Sequence, residues 1–173
     1  MKKIYFAGKF KLDNNKTLPL EKRLIDDFRS KILGSSEKLK NAVSNGLILN
    51  NGYIYSGPFY CEKASNGDFT SNDCNTVLNE EYKAVEKSDI YFALFDQNFS
   101  VGTVVELGWA IEMGKKIVIF YEEEKNSSHD IKSEYWFAIA NALKKSNKVK
   151  VYKFNNIDNV VNKIKEGVIF NEI

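Results

Sequence analysis

The sequence is poor in the residues that build metal centres, disulfide frameworks and catalytic triads. Among 173 residues it has two cysteines, two prolines and one histidine. These numbers supply no four-ligand metal set, and a lone histidine among acidic residues gives no basis for a triad. We therefore expect no metal and no cofactor. Cys61 and Cys74 are expected to be free thiols in a reducing compartment.

The sequence also lacks an excess of charge and a long apolar run. It has 25 Lys and Arg against 23 Asp and Glu, and the two signs are interspersed. A surface for nucleic acid is therefore not expected. No apolar run reaches membrane-spanning length, and the strand after Met1 is too short for a signal-peptide core. We expect a cytoplasmic protein without a membrane partner, folded as one domain over residues 1–173.

Short apolar strands alternate along the chain with segments of helical periodicity. The pattern predicts strands at 3–7, 53–56, 89–95, 116–121 and 149–152, a hairpin over 47–55, and helices near 20–32, 39–43, 77–87, 103–113, 131–145 and 157–165. Such alternation predicts an α/β fold, a single-domain Rossmann-like (flavodoxin-like) doubly wound sheet of about five mostly parallel strands flanked by helices. The polar stretch 59–75 is longer than most connections in compact domains, as functional loops often are.

The segment from Ser100 to Ala110, with the sequence SVGTVVELGWA, carries the most informative pattern. It follows a strand that has no polar residue after Asp89, which is typical of a strand covered on both faces. Gly102 and Thr103 predict a helix N-terminus, which places Glu106 on the first turn, near the edge where open α/β sheets bind ligands. Two interpretations are open: a reactive carboxylate, or an acid that favours the helix dipole by less than about 1 kcal/mol.

This segment resembles the signature of nucleoside 2-deoxyribosyltransferases and the related deoxynucleoside 5'-monophosphate N-glycosidases. The opening KIYFAG, residues 3–8, resembles the first strand of the same superfamily, and the resemblance extends to about residue 155. It implies that Glu106 is the nucleophile at the anomeric carbon of the sugar. It further implies that the Tyr5 hydroxyl steadies this carboxylate and that Gly8 belongs to a substrate-contacting turn.

Three further residues take roles from this resemblance, each with a simpler alternative. Glu81 lies eight residues before Asp89, where the family has an Asp that handles the proton near the base; the alternative is a solvated helix charge. Ser100 replaces the usual Asp, as in relatives that cleave nucleotides, and its hydroxyl beside helix amides suits a phosphate; the alternative is an N-cap. Gly102 allows the backbone to approach a ligand, or serves only a turn.

Aromatic residues mark two other places of interest. Tyr55 to Tyr60 surround a Gly-Pro turn, and we predict that Phe59 forms a wall of the base pocket; the alternative is that the aromatics only follow strand preference. On the helix 131–145, the positions at which relatives carry a polar residue and Met fall on Phe137 and Ile139. This departure puts activity in question, although the helix is equally compatible with a dimer interface or core.

The resulting prediction is an enzyme of nucleotide metabolism, with purine or pyrimidine salvage as its setting. It would cleave the N-glycosidic bond of 2'-deoxynucleosides and transfer the deoxyribosyl group to another base through a covalent Glu106–sugar intermediate. The alternatives are a 2'-deoxynucleoside 5'-monophosphate N-glycosidase, which transfers the sugar to water, and an inactive nucleotide-binding module. The expected partners are a nucleoside or nucleotide, a free base, and further copies of the chain in a homodimer or higher homo-oligomer.

Overall fold

The computed structural model describes residues 1–8, 12–13, 16–17, 24–35, 47–49, 51–58, 71–95, 101–122, 137, 139–140, 143 and 147–171. The strands are β1 (Lys3–Gly8), β2 (Leu12–Asp13), β3 (Lys16–Thr17), β4 (Leu47–Ile48), β5 (Ile54–Tyr55), β6 (Ile90–Phe95), β7 (Lys116–Glu122) and β8 (Val149–Phe154). The helices are α1 (Leu24–Leu33), α2 (Ser71–Lys87), α3 (Val101–Glu112), α4 (Ile157–Lys165) and α5 (Val168–Asn171).

The main sheet has the order β4-β5-β1-β6-β7-β8. Strands β5, β1, β6, β7 and β8 run parallel, and β4 pairs antiparallel with β5 in the predicted hairpin. The chain moves from β1 to β5 on one side and then to β6 on the other, so the strand order reverses between β1 and β6. Open α/β sheets bind ligands at such a reversal. The predicted Rossmann-like α/β fold is confirmed.

Alternation along β1 divides the core into two layers. Ile4 and Phe6 face one layer, which α1, α4 and α5 pack. Tyr5 and Ala7 face the opposite layer, which α2 and α3 pack. Because successive side chains of a strand point to opposite faces, any residue of α2 or α3 that faces the sheet meets Tyr5 rather than Phe6.

The ends of two helices differ from the sequence prediction. Helix α2 begins at Ser71, before the expected residue 77. The earlier start was not predicted because the first turns are polar and show no apolar periodicity. Helix α3 begins at Val101, two residues early, so Glu106 lies in the second turn rather than the first. The C-terminal end of α3 is as predicted: Gly114 has φ 65°, and Lys115 N donates to Ala110 O at 2.9 Å.

Some predicted elements fall partly or wholly outside the described residues. The helix near 39–43 and the loop 59–70 are not among them. Of the helix 131–145, the described positions 137, 139, 140 and 143 are helical. The small antiparallel pair β2–β3 and the short helix α5 were not predicted. Within the described residues, no helix has both the length and the apolar character to cross a lipid bilayer.

Candidate functional site

Glu106 points from α3 into the protein, toward the sheet. Its side chain belongs to a residue that is only 8% exposed. The hydroxyl of Tyr5 donates a hydrogen bond to Glu106 Oε1 at 2.6 Å, across 101 positions of sequence. A hydroxyl bonded to a carboxylate at this distance is a charge-assisted hydrogen bond of the strong class. The structure therefore brings together two residues that the sequence had assigned to one site.

A second tyrosine fixes the helix that carries Glu106. Tyr91 of β6 is the register partner of Tyr5, and the two rings stack with centroids 5.9 Å apart. The Tyr91 hydroxyl donates to the carbonyl of Thr103 at 2.8 Å. Both rings are fully buried. Sequence analysis missed this contact, since a tyrosine in an apolar strand is ordinarily a core residue.

Glycine at position 57 allows the chain after β5 to lie against the Tyr5 ring. Gly57 has φ 128°, and a Cβ there would lie 3.3 Å from two Tyr5 ring carbons and 3.2 Å from Ala84 Cβ. The Tyr5 ring is thus held between this glycine and Tyr91. The Tyr55 ring, by contrast, lies in the opposite core layer, where it stacks on Phe6.

Glu81 lies on α2, partly buried, where its charge acts on Glu106. Burial and then the Glu81 charge raise the pKa of Glu106 from its ordinary value of 4.5 to about 8, while the Tyr5 hydrogen bond and a positive charge at Arg29 act in the opposite direction. Burial also raises the pKa of Glu81, and Arg29 lowers it. Burial foremost raises the pKa of the Tyr5 hydroxyl, so the phenol keeps its proton and donates.

Arg29 of α1 was not predicted as part of this site. It is 7% exposed, and its Nε and Nη2 donate to the Phe6 carbonyl at 3.0 and 2.7 Å. The sequence shows only a cation beside the apolar stripe of Phe28 and Ile32, a pattern common on the flanks of amphipathic helices. No sequence signal distinguishes this arginine from an exposed one.

Two predicted substrate-contacting glycines lie in the described structure. Gly8 is the last residue of β1, beside Leu94 of β6, at the carboxyl end of the parallel strands. Gly102 lies in the first turn of α3 and is exposed. Among the described residues, nothing lies within 4 Å of a Cβ built at Gly102, so packing within this part of the chain does not require a glycine there. Phe59 and Ser100 lie outside the described residues.

Phe137 and Ile139 occupy the helix that packs on the same sheet face as α3. The Phe137 ring meets Tyr121 of β7 edge-on, with centroids 5.2 Å apart. Both residues are partly exposed. Phe137 therefore packs against its own chain, where a polar residue was expected from the resemblance.

The geometry suits nucleophilic and acid–base chemistry on one substrate. A carboxyl group that is buried, oriented by a phenol and near a second carboxyl has the features of a carboxylate nucleophile with a neighbouring proton donor. Pairs of acids whose pKa values are shifted by burial and by each other occur preferentially at functional sites.

Comparisons with known proteins show the family and the fold of the chain. The model of the family described as nucleoside 2-deoxyribosyltransferase matches residues 4–161. Among solved structures, the chain is similar to the Clostridium botulinum CMP N-glycosidase BcmB, with 21% sequence identity and a TM-score of 0.51. That similarity covers 94% of this chain and 98% of the other and shows a shared fold. A comparison with curated protein sequences finds no significant match.

Proposed function

Because this chain belongs to the nucleoside 2-deoxyribosyltransferase family, we propose that it cleaves the N-glycosidic bond of a 2'-deoxynucleoside and transfers the deoxyribosyl group to another base. The intermediate is a sugar bound covalently to Glu106. The observation that carries the proposal is the buried hydrogen bond from the Tyr5 hydroxyl to Glu106 Oε1. It holds one carboxylate oxygen and leaves the other for attack.

Each step of the proposed reaction has a residue to perform it. In the first step a Glu106 oxygen bonds to C1', the bond between C1' and the base nitrogen breaks, and its electron pair leaves with the base. Glu81 donates the proton that the departing base takes up. In the second step a nitrogen of the acceptor base bonds to C1', the bond to Glu106 breaks, and the acceptor's proton passes to Glu81. The two steps restore both carboxyl groups.

The reaction requires Glu106 as a carboxylate. Since burial and the Glu81 charge raise its pKa to about 8, the free protein holds this group mainly protonated at lower pH. The rate of base release at limiting substrate should therefore rise with pH as Glu106 ionises, and fall again where Glu81 loses the proton that it must donate to the base. Tyr5 and Arg29 extend the active range downward, since both favour the ionised form.

A second candidate is hydrolysis of a nucleoside 5'-monophosphate. Two observations favour it: the serine at position 100 of the sequence, a residue type whose hydroxyl can donate to a phosphate, and the similarity to a protein named as a CMP N-glycosidase. The candidate uses the same first step. It differs in the second, where water replaces the acceptor base.

The test is to incubate the purified protein with deoxynucleosides, deoxynucleoside monophosphates and CMP, each with and without an acceptor base, and to separate the products by chromatography. A new nucleoside that forms only with acceptor supports transfer. Free base without acceptor supports hydrolysis. Absence of both from every substrate contradicts either reaction and favours a binding module, which ligand titration would then reveal.

Matched variants locate the chemistry in this assay. Glu106→Gln keeps the size of the side chain and removes the nucleophile, so base release should fall by at least about a thousandfold. Glu112→Gln changes an exposed acid of the same helix and should leave the rate unchanged. Mass spectrometry of quenched protein should find the sugar on the peptide that contains residue 106. An active Glu106→Gln variant would refute the covalent mechanism.

A further inference from the structure

A break in the hydrogen-bond ladder between β5 and β1 lies next to the site. Ile54 N donates to Lys2 O at 2.9 Å and Ser56 N donates to Ile4 O at 2.8 Å. A regular parallel ladder would continue with Phe6 N donating to residue 56 and residue 58 donating to Phe6 O, but here Phe6 N donates to Gly57 O instead, at 2.7 Å. Residue 58 is proline, which has no N–H. The ladder therefore provides no donor to the Phe6 carbonyl on this side.

Arg29 supplies the missing donors. Its Nε and Nη2 both point at Phe6 O, at 3.0 and 2.7 Å, from a side chain that is almost fully buried. A buried backbone carbonyl without a donor is costly, so this contact fixes the guanidinium. Phe6 follows Tyr5 in β1. The fixed cation therefore contacts the backbone of the residue next to the one whose phenol holds Glu106.

Among the described residues, the charge of Arg29 acts on Glu106 and on the titratable groups around it. The groups on which it acts come from four elements: Glu106 from α3, Glu81 from α2, Tyr5 from β1 and Tyr91 from β6. Two of them are carboxyl groups that repel each other when both are ionised. A guanidinium is always charged, so the cation remains in place while the acids gain or lose protons.

We propose that Arg29 is a positioning residue whose fixed positive charge, held by the Phe6 carbonyl, favours ionisation of Glu106 beside Glu81 and so extends the pH range in which the site works to lower pH. As far as catalysis is concerned, this inference rests on the proposed function. Its sign follows from the charges. A neutral residue at position 29 removes an attraction for both carboxylates, so the pKa of Glu106 rises further and its ionised form appears at higher pH.

The experiment follows the Glu106 carboxyl directly by carbon NMR of side-chain-labelled glutamate, with Glu106→Gln to assign the resonance. Arg29→Gln removes the charge but keeps an amide donor, and Arg29→Lys keeps the charge. Lys31→Gln is the matched control, because Lys31 is on the same helix but pairs with Asp158 of α4 at 2.8 Å. We expect titration at higher pH in Arg29→Gln, and near the parent's value in the two others.

The same variants change the pH profile of base release. If the reaction proceeds as proposed, the acid limb of the Arg29→Gln profile moves to higher pH. At a pH on that limb, kcat/KM of the variant is lower than that of the parent by about tenfold for every pH unit of the shift, and it recovers at higher pH. A structural defect alone would lower the rate equally at all pH values. This profile separates a charge effect from a loss of packing.

Two results would overturn the inference. One is an unchanged Glu106 titration in Arg29→Gln. The other is that Arg29→Gln and Arg29→Met both fail to fold, as measured by circular dichroism, while Arg29→Lys folds but its Glu106 carboxyl titrates at a different pH from that of the parent. If the parent releases no base from any substrate, the proposed function fails, but the NMR titration still decides the role of Arg29.

Discussion

Replacing Glu106 by glutamine should stabilise the folded protein, by an amount that grows with pH. The parent must bury a carboxyl group at 8% exposure, next to the charge of Glu81, and this environment raises its pKa from 4.5 to about 8. Between those two pH values the folded state keeps the proton and the unfolded state releases it. Unfolding thus releases a proton, and the parent loses stability as the pH rises. Glutamine resembles the protonated acid and loses nothing.

The magnitude follows from the same two values. One pKa unit corresponds to ~1.4 kcal/mol, so the stability difference between variant and parent should reach about 2 kcal/mol at pH 6. This stability difference should reach about 4–5 kcal/mol at pH 8 and above, and it should vanish below pH 4.5. This is a large share of the 5–15 kcal/mol that typically separates folded from unfolded domains.

Guanidinium chloride unfolding at a series of pH values from 4.5 to 9 measures this difference. Glu112→Gln is the control for the charge change, since Glu112 ends the same helix in an exposed position. Its stability relative to the parent should stay within about 0.5 kcal/mol throughout. A Glu106→Gln variant that is less stable than the parent, or whose advantage does not grow between pH 5 and 8, would refute the account of the site as a buried, strained acid.

Other variants test single contacts. Tyr5→Phe removes the donor to Glu106, and since hydrogen bonds to charged groups contribute ~1.5–3 kcal/mol, kcat should fall about tenfold to a hundredfold and the acid limb should move to higher pH; an unchanged profile contradicts the role of the phenol. Gly57→Ala places a methyl group against the Tyr5 ring and should lower both stability and kcat. The control is Gly52→Ala, at φ 80° with open space among the described residues, which should lower stability alone. Equal kcat values in the two variants would show that the Tyr5 ring tolerates the added methyl group. Glu81→Gln removes a like charge, so base release should slow while its acid limb moves to lower pH, and a limb that stays in place would exclude coupling of the two acids.

The parts of the fold that were predicted well are those whose pattern is local. Strand β6 is a continuous apolar run, and β4–β5 turn at Asn51-Gly52, so residue type alone indicates both. The start of α2 was missed because polar turns carry no periodicity. The face on which Tyr55 lies could not be predicted, because a two-residue strand offers no alternation from which to assign a face.

The candidate site divides in the same way. Glu106, Glu81 and Tyr5 were proposed from a motif and from counting, and the structure brings all three within each other's influence. Arg29 was not proposed, since its place depends on a proline that leaves a carbonyl of another strand without a donor. Pro58 cannot donate to the Phe6 carbonyl, and Arg29, 29 residues earlier in the chain, donates to it instead. No local sequence pattern indicates such a long-range contact.

The motif around Glu106 does not by itself describe the environment of this carboxyl group. What makes the carboxylate unusual is its surroundings: a phenol on β1, a second phenol that ties α3 to β6, and a glycine that admits the chain beside them. Helix α3 with an exposed Glu106 would be the more stable arrangement, because an acid in water costs nothing to ionise. The protein instead places it against Tyr5 and Tyr91. A variant that keeps the Glu-Leu-Gly motif but loses the Tyr5 hydroxyl would leave Glu106 buried without this donor, so the proposed reaction requires the buried environment as well as the motif.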